Sequence, residues 1–289
     1  FKKDKYWPAM DPINFEILVK LLSKNHKIIP LNKLSDNLKE KNKLFIITFD
    51  DGYKDFFYNV LPIVTKFNLI VNLNICPNLV STKNLPWTQK INVMLSKKNN
   101  YLVQLLNEYN IPIKKTLKNE ELFIYICSKV HNLSNYHYNQ FIKKLNKIYI
   151  YNIDEILDWN EIKKFISQNV IIGCHSHNHL NLNKLGDNQL DKEIIFSKKD
   201  IKKNLNIDTE IFSIPNGMID KKALKIIENN YKYILFSDLN RNPLNITKDN
   251  YYINRVNISL NNPYEEYFRS IGFHDLIKRK LNIFFQIKR

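Results

Sequence analysis

The chain has 289 residues, 44% of them hydrophobic and 12% aromatic, which is enough apolar material for a large core and excludes general disorder. No apolar run approaches the roughly 18–20 residues that span a bilayer, which excludes an integral membrane protein. The net charge of +16 would ordinarily indicate a nucleic acid or an anionic lipid as partner.

The composition behind this charge argues against nucleic acid. The basic residues are 39 Lys and 5 Arg, and the chain has 42 Asn against 2 Ala, a bias that AT-rich codons produce. Arginine is the residue best suited to phosphates and base edges, and the lysines are spread along the whole chain. We therefore expect no nucleic-acid partner and interpret the charge as a surface property.

The cysteines and the first residue bear on the compartment. Cys76, Cys127 and Cys174 are odd in number and widely spaced, which predicts free buried thiols rather than a disulfide framework. The chain begins with Phe1 rather than Met, so we expect the native start to be missing, and a signal peptide could have preceded it. A cytoplasmic and a cell-envelope location are both compatible with these features, and we favour the cytoplasm.

Helices and strands are predicted in alternation along most of the chain. Apolar spacing predicts in turn a helix at 12–27, strands at 27–31 and 44–49, a helix from 56 to 64 and a strand at 69–75. After the next long segment it predicts a helix at 159–166, a strand at 170–174, a helix at 190–205, a strand at 211–215, a helix at 221–229 and strands at 233–236 and 251–258. This alternation indicates an α/β fold with a mainly parallel sheet or barrel, as a single domain over 1–289.

Two segments stand apart from this alternation. From about 81 to 152 the sequence is polar and helical in pattern and contains no convincing strand, which we interpret as a helical insertion. The segment at about 265–289 is predicted to be an amphipathic helix. It could lie on an anionic membrane surface as a peripheral contact, although packing against the barrel is the interpretation we prefer.

Two adjacent carboxylates, Asp50 and Asp51, follow the strand at 44–49 in the run TFDDGY at Thr48–Tyr53. In parallel α/β folds, the loops at the carboxyl ends of the strands converge on one opening. One carboxylate could bind a metal while the other acts as a base. The alternative is that these residues only cap a helix.

A histidine cluster follows the strand at 170–174. Three of the seven histidines stand at His175, His177 and His179, and imidazole is the commonest nitrogen ligand for zinc-like ions. The residue types alone leave open which two of the three would bind. Two histidines and one carboxylate would form a three-ligand site with an open position for water, as metal-assisted hydrolysis of an ester or amide requires.

These motifs resemble those of the polysaccharide deacetylases of the NodB-homology type, carbohydrate esterase family four. The family motif T-F-D-D-G is matched by Thr48–Gly52, and H-[ST]-x-x-H is matched by His175–His179. The resemblance covers roughly 44–75 and 158–258. It implies a distorted (β/α) barrel of about seven strands, here with a helical insertion. It also implies removal of acetyl groups from N-acetylated sugars of a polysaccharide or glycan precursor.

The resemblance implies a role for each matched residue. Asp50 would be the catalytic base, while Asp51, His175 and His179 would bind a divalent metal ion, with zinc favoured. His177 falls at a variable position of the motif and would be a bystander. The backbone N–H of Asn216 would help to hold the oxyanion.

The sequence departs from the family pattern at two places. Ser213 stands where many members have an arginine, so the usual arginine contact with Asp50 is expected to be missing, as in some branches of the family. The motif L-x-x-H is not found, since residues 252–257 (YINRVN) occupy its place without a histidine. We expect the general acid to have been lost with the native start, because His26 and His274 are weak substitutes.

Tyr53 and Trp87 are predicted to line a sugar subsite, because aromatic faces stack on sugar rings. For Trp87, packing within the insertion is an equally good interpretation. Two alternatives to the deacetylase stay open: a metal amidase or esterase acting on a smaller acylated substrate, and a non-catalytic glycan-binding relative. The absent arginine and the absent histidine acid favour the second alternative.

Overall fold

The computed structural model describes residues 9–166, 169–237, 244–258 and 260–272, with the side chains of residues 40–43 excepted. The strands are short, and the buried ones lie in the middle of the chain. In chain order, the strands are β1 (Lys27–Ile28), β2 (Leu44–Phe45), β3 (Thr48–Asp51), β4 (Val71–Ile75), β5 (Val170–Cys174), β6 (Ile211–Ser213), β7 (Tyr233–Phe236), β8 (Leu244–Ile246) and β9 (Tyr251–Asn254).

Helices connect most of these strands. They are α1 (Pro12–Asn25), α2 (Leu61–Lys66), α3 (Pro77–Thr82), α4 (Trp87–Ser96), α5 (Asn100–Glu108), α6 (Asn119–His131), α7 (Asn135–Ile148), α8 (Trp159–Lys163), α9 (Asp187–Asp191), α10 (Ser197–Leu205), α11 (Lys221–Glu228) and α12 (Pro263–Ser270). Segments of 3₁₀ or π helix occupy Leu31–Lys33, Ser35–Lys43, Phe56–Val60, Leu182–Lys184, Lys192–Phe196 and Pro215–Gly217. Over the described residues, no helix is long and apolar enough to cross a membrane.

Seven of the strands form one sheet in the order β3-β4-β5-β6-β7-β9-β8, and every pair in it is parallel except β8 with β9. The strands β1 and β2 form a separate parallel pair. The mixed α/β fold with about seven mostly parallel strands is therefore confirmed. Across the described ranges no backbone ladder joins β3 to β8 or β9. A side chain just after β9, Arg255, nevertheless reaches Asp50 at the end of β3, so the sheet curls until its two edges approach.

The alternation of side chains along the strands divides the core between the two faces of the curled sheet. In β7, Ile234 and Phe236 pack in the cluster that the outer helices cover. Tyr233 and Leu235 instead pack against Leu31 on the other face. A strand with both faces buried requires a nearly continuous apolar run, which is why β5 and β7 have the bounds that the sequence predicted.

The segment between β4 and β5 contains a second cluster of buried side chains in α4–α7 and the loops that join them. These are Trp87, Ile91, Met94, Leu95, Leu102, Leu105, Leu106, Ile111, Phe123, Ile126, Cys127, Val130, Tyr138, Phe141, Ile142 and Leu145. The four helices lie within the range predicted for the helical insertion. The division of the chain into a barrel and an insertion stays a prediction.

Some predicted elements differ from the structure. The expected strand at 44–49 is interrupted, because β2 ends at Phe45 and β3 begins at Thr48 and runs through Asp51. The edge strand β8 was missed, since it has three residues that are only half-buried or exposed. The helix α12 covers the first part of the predicted 265–289 helix, and 273–289 lie outside the described residues. The three cysteines are free and buried, as expected.

Candidate active site

The predicted carboxylates and histidines meet at the carboxyl ends of β3 and β5. These two strands flank β4, and their registers with it place Asp51 level with Ile75, and Ile75 level with Cys174. The loop that begins at His175 therefore starts level with Asp51, the last residue of β3. This is the edge where loops of parallel sheets form binding sites.

Left-handed backbone turns the side chains of this edge toward one point. Asp51 has φ 72°, and Ser176, His179 and Asn216 have φ 62°, 58° and 55°. Successive residues of a regular strand point to opposite faces, so the turn at Asp51 is what lets both carboxylates lie near the same histidine. A non-glycine residue in this conformation costs roughly 1–3 kcal/mol, and the chain bears that cost repeatedly at these strand ends.

Asp51, His175 and His179 offer ligand atoms that all lie within 4.8 Å of one another. Asp51 Oδ1 is 3.6 Å from His175 Nε2 and 3.4 Å from His179 Nε2, and this buried oxygen has no hydrogen-bond partner among the described residues. Atoms that share one zinc-like ion at about 2.0–2.2 Å have similar separations. The Nδ1 atom of His175 lies 2.8 Å from the carbonyl oxygen of Ser213, a contact typical of a metal-ligating histidine.

Burial sets the protonation of this trio. It raises the pKa of Asp51 to about 6 and lowers that of His179 to about 4. The pKa of His175 is also lowered, by burial first, while the Asp50 charge opposes the change. The histidines are therefore neutral near pH 7, which is the form that binds a metal ion. The three residues fit a divalent cation, whose charge would favour the ionised form of Asp51.

Asp50 lies beside the trio, with Oδ2 3.7 Å from His175 Nε2. An arginine contact was expected to be missing, but Arg255 donates to Oδ1 at 2.9 Å and to Oδ2 at 2.8 Å. Ser213, which stands in the arginine position of the motif, accepts from Arg255 at 2.9 Å and donates to Asp50 at 3.3 Å. Although burial opposes its ionisation, the Arg255 guanidinium and His175 hold the pKa of Asp50 well below its ordinary value.

A third donor to Asp50 comes from inside the sheet. Asn74 Nδ2 donates to Asp50 Oδ1 at 2.7 Å, and Asn72 Nδ2 donates to Asn74 Oδ1 at 2.5 Å. Asn74 fits there because Gly173 on β5 has no side chain: a Cβ atom at that position would lie 2.0 Å from Asn74 Oδ1. The glycine before the histidine motif thus makes room for a group that orients the candidate base.

His177 points away from the trio, as expected of a bystander. Its Nε2 atom lies 2.9 Å from Asp200 Oδ2, and Asn178 Nδ2 lies 3.1 Å from its Nδ1. Its backbone N–H donates to Glu193 Oε2 at 3.0 Å. The middle histidine therefore joins the loop to the helix behind it.

Asn216 lies in the turn Pro215–Gly217 and is tied to the loop after the histidine motif. Its Nδ2 donates to Asn181 Oδ1 at 2.9 Å, and Asn181 Nδ2 lies 2.7 Å from Nδ1 of His131. His131 belongs to α6, so this chain of contacts connects the site to the helices between β4 and β5. Burial and then the nearby His179 lower the pKa of His131 to about 4.

The two aromatic residues predicted to line a sugar subsite differ in placement. Tyr53 is half-buried and forms a bridge with Ile156, and its buried hydroxyl has no hydrogen-bond partner in the part of the chain that the structure describes. Burial and then the Asp51 charge raise the pKa of that hydroxyl, and its role in lining a sugar subsite stays a prediction. Trp87 is 2% exposed and packs edge-on against Tyr138. Of the two interpretations of Trp87, the structure agrees with packing and not with a sugar subsite, since its ring has no open face.

Of the two substitute histidines, only His26 lies within the described residues, and it packs away from this edge. The His26 ring packs 4.6 Å from that of Phe45 and 6.0 Å from that of Tyr267. His274 lies outside the described residues. Arg255, Asn74 and Glu193 were not predicted from the sequence. For Arg255, the scarcity of arginine was the one signal in the sequence that could have indicated its importance.

Comparison with family models gives a match to the model described as polysaccharide deacetylase over residues 96–234. This span includes both candidate histidine ligands and the turn at Asn216. A search of curated protein sequences found no match.

Several solved structures share the fold. A polysaccharide deacetylase from Bacillus cereus is 15% identical with a TM-score of 0.60, over 94% of this chain and 65% of that one. The deacetylase PplD from Streptococcus pyogenes, solved with acetate, is 16% identical with a TM-score of 0.55, over 91% and 87%. A de-N-acetylase from Aggregatibacter actinomycetemcomitans is 13% identical with a TM-score of 0.51, over 88% and 87%. The chain thus spans 65% of the length of the Bacillus cereus protein and of a similar one from Bacillus anthracis.

Proposed function

We propose that this chain, whose residues 96–234 match the polysaccharide deacetylase family model, is a metal-dependent hydrolase that removes acetyl groups from N-acetylated sugars of a glycan. The observation that carries the proposal is the buried group of Asp51, His175 and His179, with the carboxylate of Asp50 beside it. The acetate in the Streptococcus pyogenes structure and the de-N-acetylase of the same fold support acetyl as the acyl group.

We propose zinc as the ion, because two imidazole nitrogens and one carboxylate oxygen with an open position form a donor set common in catalytic zinc sites. When bound there, a divalent ion would polarise the acyl carbonyl and make a water molecule more acidic. Asp51, His175 and His179 would hold it. The unpartnered Oδ1 of Asp51 would otherwise be a buried polar atom without compensation.

Asp50 is our candidate for the general base. Its carboxylate is ionised and fixed by Arg255, Asn74 and Ser213, so Oδ2 can accept a proton from a water molecule that attacks beside His175. A fixed base within hydrogen-bond reach of the reacting water contributes typically ~10²–10⁴-fold to the rate.

The backbone N–H of Asn216 is our candidate for the oxyanion donor. Asn216 has φ 55° in the turn after β6, and its side chain is fixed by Asn181. A donor that is fixed before the reaction stabilises the developing negative charge without reorganisation.

A non-catalytic glycan-binding relative was favoured by the missing arginine and the missing histidine acid. Arg255 provides an arginine for Asp50, so one of these two arguments no longer applies. We therefore propose catalysis, with an N-acetylated glycan as the substrate.

Acetate release from N-acetylated oligosaccharides, measured with and without added zinc, tests this function. The Asp50→Asn variant should lose turnover by about 10²–10⁴-fold while it binds metal as the wild type does, because only the base is removed. Unchanged turnover would refute the assignment of the base. No acetate release from wild-type protein with metal bound would favour the binding relative.

The His179→Ala variant separates the metal site from the base. It should lose stoichiometric metal, measured by elemental analysis after dialysis, because only two of the three ligands remain. A variant that keeps one ion per chain would refute the ligand set.

A further inference from the structure

Glu193 is a buried carboxylate behind the loop that contains the candidate ligands. It lies in the π turn Lys192–Phe196 between α9 and α10, and it is 2% exposed. No ion pair with Lys, Arg or His is found for it within the described ranges. A buried carboxylate is costly unless hydrogen bonds compensate it, and single π turns inside helices are frequent at functional sites.

All the described hydrogen bonds of the Glu193 carboxylate go to the loop. Oε2 accepts from the backbone N–H of His177 at 3.0 Å and from that of Asn178 at 2.8 Å. Oε1 accepts from Asn178 Nδ2 at 2.6 Å. Hydrogen bonds to an ionised acceptor are roughly twice as strong as neutral ones. Both bonded residues lie between the two histidine ligands, so Glu193 fixes the middle of the loop.

This loop needs such support, because Ser176 and His179 both have left-handed backbone, with φ 62° and 58°. Two more residues on the same face of the helix contact the loop or the end of β5 that precedes it. Ser197 Oγ accepts from the Cys174 thiol at 3.1 Å, and Asp200 Oδ2 lies 2.9 Å from His177 Nε2. Positions 193, 197 and 200 follow the spacing of one helix face. The helix therefore contacts the histidine loop through Glu193 and Asp200 and the end of β5 through Ser197, and both Glu193 and Ser197 are buried.

We propose that Glu193 is a positioning residue for the metal site. Its carboxylate holds the His175–His179 loop in the conformation that brings both Nε2 atoms to Asp51, and it thereby sets the affinity of the site for a divalent ion. The inference rests on the proposed metal-dependent function and goes beyond it, because it concerns a residue that contacts neither the ion nor the substrate.

The test measures zinc affinity and the visible spectrum of the cobalt-substituted protein for the wild type, Glu193→Ala and Glu193→Gln. Glu193→Ala should raise the zinc Kd by roughly 10–100-fold, the usual effect of removing a group that orients ligands, and it should alter the cobalt spectrum. Glu193→Gln keeps the size and one acceptor oxygen, so its Kd should lie between those of wild type and Glu193→Ala.

Asp158→Ala is the matched control for general destabilisation. Asp158 caps α8 by accepting from the N–H of Glu161 at 2.8 Å, and it makes no contact with the histidine loop in the described structure. This variant should lower Tm and leave the zinc Kd as in the wild type.

A wild-type zinc Kd in Glu193→Ala overturns the inference while the proposed function stands. If Glu193→Ala does not fold, Glu193→Gln decides, and a wild-type Kd and spectrum there overturn the inference equally. Equal loss of zinc affinity in Asp158→Ala also overturns it, because general destabilisation would then explain the effect. A wild-type protein that binds no zinc overturns the proposed metal site itself.

Discussion

Asp50 receives four hydrogen bonds from three side chains that come from different parts of the sheet. Arg255 follows β9, Asn74 lies on β4 and Ser213 ends β6. Each donor favours the ionised carboxylate, and together they fix its orientation. Burial by itself would raise the pKa of Asp50, but the Arg255 guanidinium, His175 and these hydrogen bonds together hold it well below its ordinary value.

Removing the guanidinium should therefore change the pH dependence of the reaction. In Arg255→Gln the pKa of Asp50 should rise, so that more of the base is protonated at any given acidic pH. The acid limb of the kcat/KM profile should move to higher pH, and kcat/KM at neutral pH should fall by about 10²-fold as the base loses its orientation. The measurement is acetate release as a function of pH.

Ser213→Ala is the control for this prediction. It removes the longest of the four contacts, at 3.3 Å, and leaves the charge of Arg255 in place. It should shift the acid limb much less than Arg255→Gln. An acid limb that stays at its wild-type position in Arg255→Gln would show that the guanidinium does not control the base.

The residues of the two motifs could be predicted from the sequence because each motif is local. Asp50 and Asp51 are adjacent, and His175 and His179 are four residues apart. Arg255 could not be predicted in this way, since it lies 205 residues from Asp50. Its role depends on the curling of the sheet, which no local pattern contains.

At the scale of elements, β5 shows how one strand serves the core and the site at once. Its first residues are buried apolar side chains, while Gly173 leaves room for Asn74 and the chain then continues into the histidine loop. Packing in this part of the sheet is therefore directly coupled to the orientation of Asp50.

A methyl group at position 173 should disturb the orientation of the Asp50 carboxylate without contacting Asp50 itself. In Gly173→Ala the new Cβ would lie 2.0 Å from Asn74 Oδ1, so Asn74 must move and its hydrogen bond to Asp50 should be lost. Overpacking of this kind typically costs ~1–3 kcal/mol of stability. We expect a lower kcat with metal content unchanged, measured by acetate release and elemental analysis.

Gly186→Ala is the matched control, because a Cβ there meets no atom within 4 Å. It should keep wild-type kcat, with at most a modest loss of stability from its position at the start of α9. Equal kcat values in the two alanine variants would contradict the role given to Gly173.

Elements buried on both faces were the easiest to predict. The runs at 170–174 and 233–236 have the bounds of β5 and β7 because continuous apolar sequence is needed there. The strand at 44–49 was predicted as one element, since its apolar run does not reveal the break after Phe45. The edge strand β8 has little buried surface and thus no pattern to detect.

At the scale of the whole molecule, the chain has a sheet core and a separate helical core. In the described ranges, the helical cluster of α4–α7 and the cluster between the sheet and its outer helices have two neighbouring side chains in common. These are Tyr149 and Leu180, and both are only partly buried. The polar contacts from His131 through Asn181 are a further link between the two parts. We infer that the two cores unfold with some independence.

Phe141→Ala tests this independence. Phe141 is fully buried in the helical cluster, and its truncation should lower the free energy of unfolding by about 3–5 kcal/mol. Hydrogen–deuterium exchange should increase in α4–α7 and stay near its wild-type rate in β3–β5. A uniform increase over both parts would show that the chain unfolds as one unit.

The left-handed residues of the site have a consequence for engineering a more stable protein. The chain has 5 glycines, while ten described residues other than glycine have positive φ. At Asp51 and His179 the side chain belongs to the candidate metal site, so replacing either residue with glycine would remove a proposed ligand. Lys83 and Lys98 have φ 51° and 50° and lie outside the candidate site. Replacing them with glycine should therefore raise thermal stability without changing the catalytic residues.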